Sequence, residues 1–151
     1  MKVTLDTNVL VSAFISKHGQ PAKILDIIIT FPEIKLIPSD LIIEEFREVI
    51  SRQEVRERFD YSEHDIESFV QAIRDVSMIV KLKSNFSVVK EDPKDDIILN
   101  TAYDGKVDYI VSGDFHLQKL KKFKGIKIVS PKQMMKIITR RFGELIIPRK
   151  K

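Results

Sequence analysis

Four carboxylates in this chain fall where a carboxylate is costly or idle unless it does chemistry. Asp6 ends the run KVTLD, which reads as a buried β-strand, and Thr7 and Asn8 follow it directly. Asp114 ends YIVSGD, just past a second run of that kind. An Asp after a strand is commonly a turn or helix-capping residue, so neither position decides anything alone. The helix expected after Ser39, DLIIEEFREVISR, has an apolar stripe of Ile42, Ile43, Phe46, Val49 and Ile50. At about 100° per residue, Glu44 and Glu48 lie about 160° from its centre, whereas Glu45 lies about 100° away, on the shoulder of the buried face. In EDPKDDIILNTAY the stripe is Ile98, Leu99 and Ala102, and Asp95 precedes these by three, four and seven residues. Asp95 is therefore on the stripe, in the first helical turn. Asp96 lies about 115° off that line and is the fallback acid if the register is displaced by one. An inward carboxylate is expensive unless compensated, although a helix N-terminus favours an anion. A capping box of Asp92 with Asp95 would account for one acid, but not for four sharing an edge.

Crowded carboxylates repel, and some of their pKa values rise. A divalent cation reverses that logic. Oxygen-only ligation, without His or Cys, suits Mg²⁺ or Mn²⁺, ions that bind phosphate oxygens and activate water for in-line attack. The expected ligands are Asp6, Glu45, Asp95 and Asp114. Thr7, Asn8 and Ser112 are expected to hydrogen-bond these acids or the substrate.

The elements that must position these residues can be read from pattern. Strands are expected over Lys2 to Asp6, Ile34 to Ile37, Met78 to Leu82, Asp108 to Ser112 and Ile126 to Val129. Helices are expected near 8–16, 21–31, 40–52, 63–76, 93–104, 115–122 and 131–142. Pro21, Pro93 and Pro131 suit first helical positions, and Ser39 and Ser62 suit N-caps. Runs such as YIVS and KIVS are apolar and β-branched, as expected of strands covered on both faces. Alternating strands and helices imply a mostly parallel sheet between helices. Right-handed crossovers put every strand's C-terminal end on one edge, where open α/β sheets bind ligands. RQEVRERF, residues 52–59, is the most polar internal stretch, either a helix end or a lobe between helices. One domain is expected over residues 1–147, with a short basic tail at 148–151.

Composition narrows the chemistry. The 151 residues are 43% hydrophobic and 32% charged, which suits one well-solvated domain with a real core. There is no cysteine, which excludes disulfides, thiolate metal sites and cysteine nucleophiles and fits a cytoplasmic location. No apolar run approaches a membrane span. The net charge of +4 permits a polyanionic partner without demanding one. No Walker A, GxGxxG, HExxH or GxSxG pattern is present. His18, His64 and His116 are scattered, and His116, two residues after Asp114, is a candidate phosphate contact. HLQKLKKFKG, with Lys119 to Lys124, reads as a solvated helix end capable of non-specific phosphate contact. Residue order alone reveals no aromatic stacking platform.

With LDTNVLVSAF, GQPAKIL, PSDLIIEEFREVISR, DPKDDIILNTA and DYIVSGD in this order and spacing, the chain resembles PIN domains. The resemblance covers residues 2 to about 130 and is closest to the toxins of toxin–antitoxin pairs, the VapC-like ribonucleases. It implies a three-layer α/β/α fold around a mostly parallel sheet of four to five strands. It also implies a metal-dependent endoribonuclease, a homodimer and an antitoxin partner, and carries the family's metal-binding acids to Asp6, Glu45, Asp95 and Asp114. Two rival readings stand beside it. One is a non-catalytic PIN-fold module that binds RNA or protein. The other is a phosphoaspartyl receiver or phosphatase-like protein with Asp6 as nucleophile. The second lacks the paired acid, because Asn8 stands two residues after Asp6.

Overall fold

The computed structural model describes residues 1–89, 92 and 94–146. The sheet contains β1 (Lys2–Leu5), β2 (Lys35–Leu36), β3 (Tyr109–Val111), β4 (Lys122–Phe123) and β5 (Ile126–Val129), in the order β2-β1-β3-β5-β4. All pairings are parallel except that of β4 with β5. The helices are α1 (Thr7–Ile15), α2 (Gln20–Thr30), α3 (Asp40–Ile50), α4 (Gln53–Arg58), α5 (Glu63–Val76), α6 (Asp95–Gly105), α7 (Phe115–Leu120) and α8 (Pro131–Ile146). This is the expected α/β architecture.

The parallel strands are short and apolar because they are covered. Val3, Leu5, Ile110 and Val111 are almost fully buried. Helix α6 packs on β1 and β3, and α8 packs on β5 and against α2. Ile98 and Leu99 of α6, with Met134 and Ile138 of α8, fill the core from the helical side. Phe14, Phe46, Phe69 and Tyr61 form an aromatic cluster with edge-on and stacked rings 5.0–5.7 Å apart. Tyr61 O–H also donates to the Ile50 carbonyl, at 2.6 Å. That contact ties the loop before α5 to the end of α3.

Local chemistry sets the ends. Ser39 caps α3 by accepting from Ile42 N–H, and Ser62 forms a full capping box with Asp65 on α5. Pro131 opens α8, and Pro21 sits one position inside α2. Pro93 as a first helical residue, and the tail at 148–151, lie outside the described residues.

Four expectations change. Residues 78–82 form no regular strand. Met78 and Val80 donate to the carbonyls of Leu36 and Pro38, each at 2.9 Å, but only isolated bridges result. Pro38 has no N–H to return a bond, and α3 begins two residues later. The polar stretch 52–59 contains a short helix, α4, with no buried residue. Helix α7 stops at Leu120, because Lys121 turns to φ 61°, and β4, which the pattern did not reveal, follows at Lys122. Helix α8 continues past 142, with a non-helical residue at Phe142.

The segment after α5 is strapped to α6 by three polar side chains one turn apart. Asp96 Oδ1 accepts from the N–H groups of Val88 and Val89, at 2.9 and 3.0 Å. Asn100 accepts from Phe86 N–H and the Ser84 hydroxyl and donates to the Phe86 carbonyl. Asp104 accepts from the N–H groups of Lys83 and Ser84. An extended segment without a ladder must satisfy its backbone somewhere, and here one helix face does it.

Candidate active site

Asp6 is both the last residue before α1 and its N-cap. Its backbone N–H donates to the Val111 carbonyl, so the end of β1 is locked to the end of β3. Its side chain is 9% exposed and takes three donors. Thr7 N–H reaches Oδ1 at 2.8 Å; the Ser112 hydroxyl and Asn8 Nδ2 reach Oδ2 at 2.7 and 3.2 Å. Asn8 Oδ1 in turn accepts from Gly113 N–H. Burial nevertheless pushes the Asp6 carboxyl up to about 6. The Ser112 and Thr7 hydrogen bonds oppose the rise, and the charges of Glu45 and Asp114 add to it.

Asp114 caps α7, with Oδ1 accepting from His116 N–H at 2.7 Å. Its own N–H donates to Ser112 Oγ, whose hydroxyl donates in turn to Asp6 Oδ2. Ser112 therefore links the two strand-end acids. Gln118 Nε2 donates to the Ser112 carbonyl, at 2.7 Å, and holds α7 against the end of β3.

Asp95 opens α6 and is 7% exposed. Its Oδ2 is buried without a hydrogen-bond partner, so the capping box with Asp92 does not form. Asp92 Oδ1 instead accepts from Lys94 N–H. Burial pushes the Asp95 carboxyl up to about 7; Asp114, Asp6 and Asp92 add to the rise, and His116 opposes it. Glu45 is half-buried on the flank of α3, as its helical phase predicts, while Glu44 and Glu48 are exposed. Burial also raises the Glu45 carboxyl; the Thr7 hydroxyl and Lys94 oppose that rise, and Asp92 reinforces it. The Thr7 hydroxyl faces Glu45 without completing a hydrogen bond.

Helices α3 and α6 are pinned to each other by a buried hydroxyl pair, Ser39 Oγ and Thr101 Oγ1, at 2.8 Å. Thr101 donates to the Ile97 carbonyl, so the Ser39 hydroxyl is the donor within the pair. One polar contact thus sets the spacing between the helices that bear Glu45 and Asp95.

Asp6 thus lies within electrostatic reach of Glu45 and Asp114, and Asp95 within reach of Asp6 and Asp114, at the C-terminal edge of the sheet. Asp96 is turned to the strap and both of its donors are backbone groups, so the fallback acid is structural. Among the described residues, no three His, Asp or Glu side chains approach closely enough to enclose an ion. The residue types nonetheless fit a hard cation: the donor set is all oxygen, and Asp95 presents a buried carboxylate oxygen with nothing to satisfy it. Two charged neighbours escaped the sequence pattern. Asp92 acts on both Asp95 and Glu45, and Lys94 acts on Glu45. Both precede α6, where periodicity carries no information. A cavity of about 670 Å³ beside Phe14, Leu25, Tyr61 and Phe69 contains none of the four acids.

The sequence model of the family described as PIN domain matches residues 2–116. The chain is 34% identical over 123 residues to Uncharacterized protein MJ1680 of Methanocaldococcus jannaschii, covering 80% of this chain and 76% of that one. Among solved structures it is similar to a chain of VapBC2 from Rickettsia felis bound to a DNA fragment from their promoter. That match has a TM-score of 0.57 at 13% identity, over 86% of this chain and 98% of the other. At that identity the likeness is one of fold. No helix among the described residues is long and apolar enough to cross a membrane.

Proposed function

The chain belongs to the PIN domain family, and we propose that it is a Mg²⁺- or Mn²⁺-dependent endoribonuclease, the toxin of a toxin–antitoxin pair. One observation carries the reading. Asp6 and Asp95 are both buried, each within electrostatic reach of the other or of Asp114, and Asp95 leaves a buried oxygen unsatisfied. Burial of this kind, with perturbed carboxyls beside one another, marks a functional-site candidate.

Asp6, Glu45, Asp95 and Asp114 would hold the cation, which when bound supplies charge neutralisation for the phosphate and an activated water. Ser112 and the Thr7 N–H orient Asp6. Lys94 and His116, at the rim, offer positive or donor groups to a phosphate. The similarity in fold to a chain of VapBC2 supports an antitoxin as partner. A homodimer and a cytoplasmic location complete the proposal.

A second reading, a PIN fold that binds RNA or protein without cleaving, draws on the spacing of the acids, none of which form a closed set of three. One experiment separates the two. End-labelled single-stranded RNA is incubated with Mn²⁺, with EDTA, and with the Asp6→Asn and Asp95→Asn proteins. Cleavage that needs the metal and disappears in both variants is expected. Binding without cleavage under any divalent ion refutes the nuclease and leaves the module. Glu45→Gln is expected to lose cleavage while Glu44→Gln keeps it; the opposite ranking removes Glu45 from the site.

A further inference from the structure

We propose that the outer face of α7 and the lysines beyond it form the docking track for an unpaired strand of nucleic acid leading into the acidic edge. The proposal rests on the nuclease reading for its direction, but its observations are separate. Phe115 follows Asp114 directly and is 71% exposed, more than any other large hydrophobic residue described. No core contact explains it. Its ring stands edge-on to His116, with centroids 6.2 Å apart, and His116 is close enough to Asp95 to act on its charge. An unsupported aromatic ring is thus held at the lip of the carboxylate cluster. Bases of a single strand stack on such rings irrespective of sequence, whereas paired bases have no free face to offer.

The charge beyond Phe115 is strongly one-sided. Residues 106–142 contain ten Lys and Arg against two Asp, while the whole chain carries only +4. The ion pairs among the described residues all lie between Asp40 and Arg74, so none of these ten has an acidic partner there. From α7, Lys119 is exposed on the same side as Phe115, one turn on. Gln118 and Gln133 then border a depression of about 430 Å³ lined by Lys121, Lys122 and Lys127. Lys121 occupies φ 61°, a backbone state that glycine reaches at lower cost. An aromatic platform followed by unpaired lysines matches alternating bases and phosphates of one strand.

The test is equilibrium binding of a short single-stranded RNA and of its duplex, in EDTA so that nothing is cut, over a range of salt. Phe115→Ala is expected to weaken single-strand binding roughly 5- to 100-fold, to leave duplex binding unchanged, and to be rescued by Phe115→Trp. The combined Lys121→Gln, Lys122→Gln and Lys127→Gln protein is expected to lower the slope of log affinity against log salt by about 2 for the single strand. All these positions are exposed or lie on the rim, and circular dichroism checks that each variant folds. Unchanged single-strand affinity in both variants overturns the proposal, as does a wild-type protein that binds no RNA in EDTA. So does a Phe115→Ala protein whose oligomeric state changes while its RNA affinity does not, which assigns the ring to a protein contact. Failure of the nuclease reading appears elsewhere, as absence of Mn²⁺-dependent cleavage by a wild type that still binds through Phe115.

Discussion

Asp95 and Asp96 are adjacent, both buried, and opposite in role. Asp95 has an oxygen with no partner, while Asp96 satisfies two backbone N–H groups of the strap. Their substitutions should therefore differ in sign. In EDTA, the folded protein holds a proton on Asp95 up to a pKa of about 7, against an ordinary value of 3.8. Between those values the folded state binds more protons than the unfolded chain, so stability falls as pH rises through the window and stays low above it. Asp95→Asn removes that loss. Denaturant unfolding in EDTA should find the variant more stable than wild type at pH 8, with the difference vanishing near pH 4. A variant less stable at pH 8 contradicts the burial argument. Asp96→Ala, by contrast, orphans two strap donors and should cost about 1–3 kcal/mol at either pH. It should also open residues 83–89 to proteolysis; an uncut strap at wild-type stability rejects the latch. Helical phase separated these two acids in the sequence. It could not say what Asp96 does, because its partners are main-chain groups that no side-chain pattern announces.

At the scale of elements, the long periodic helices and the β-branched strands were legible because each buries one continuous face. What escaped was decided by single residues or by backbone. The expected strand at 78–82 fails on the missing N–H of Pro38. The two-residue β4 depends on positive φ at Lys121 and on the Lys124–Gly125 turn, with φ of 50° and 83°. The end of α6 gives a quantitative case. Gly105 is its last residue, and a Cβ there would lie 2.5 Å from Ile37 Cγ2, so something must shift. Lys106 follows at φ 52°, where glycine is the usual terminator. The two positions thus carry the reverse of ordinary helix-end preference. Gly105→Ala should destabilise by about 1–3 kcal/mol through overpacking. Lys106→Gly should stabilise by up to about 1 kcal/mol by relieving the left-handed backbone. Thermal unfolding of the two variants checks both signs, and stabilisation by Gly105→Ala would show that Ile37 yields freely. The pair of hydroxyls between Ser39 and Thr101 was legible only as an N-cap. Its second task, spacing α3 from α6, joins residues 62 apart in sequence.

Across the whole molecule, the stretch 106–142 is basic, with ten Lys and Arg against two Asp, and it adjoins the strand-end edge that carries Asp6 and Asp114. On the proposed metal-dependent reading, the protein without its cation is destabilised at that edge. Neighbouring acids raise Asp6 and Asp95, both carboxyls hold their protons well above the ordinary carboxylate range, and the proposed cation would relieve both effects at once. A ligand that binds only the folded protein stabilises it by mass action, about 2.7 kcal/mol at a hundred times its dissociation constant. For a chain of this size, each kcal/mol moves the melting midpoint by about 2–4 °C, so saturating Mn²⁺ at pH 8 should raise it by about 5–10 °C. Metal must displace protons from carboxylates that hold them. With Asp6 near 6 and Asp95 near 7, the rise should shrink sharply at pH 5, and EDTA should abolish it at both values. Asp95→Asn should melt higher than wild type without metal yet gain little from Mn²⁺, a reversal of ranking between the two conditions. Acids that served only as caps and surface charge would give the same small Mn²⁺ response at pH 5 and pH 8, in variant and wild type alike, and that result would dissolve the metal centre without reference to any nuclease assay.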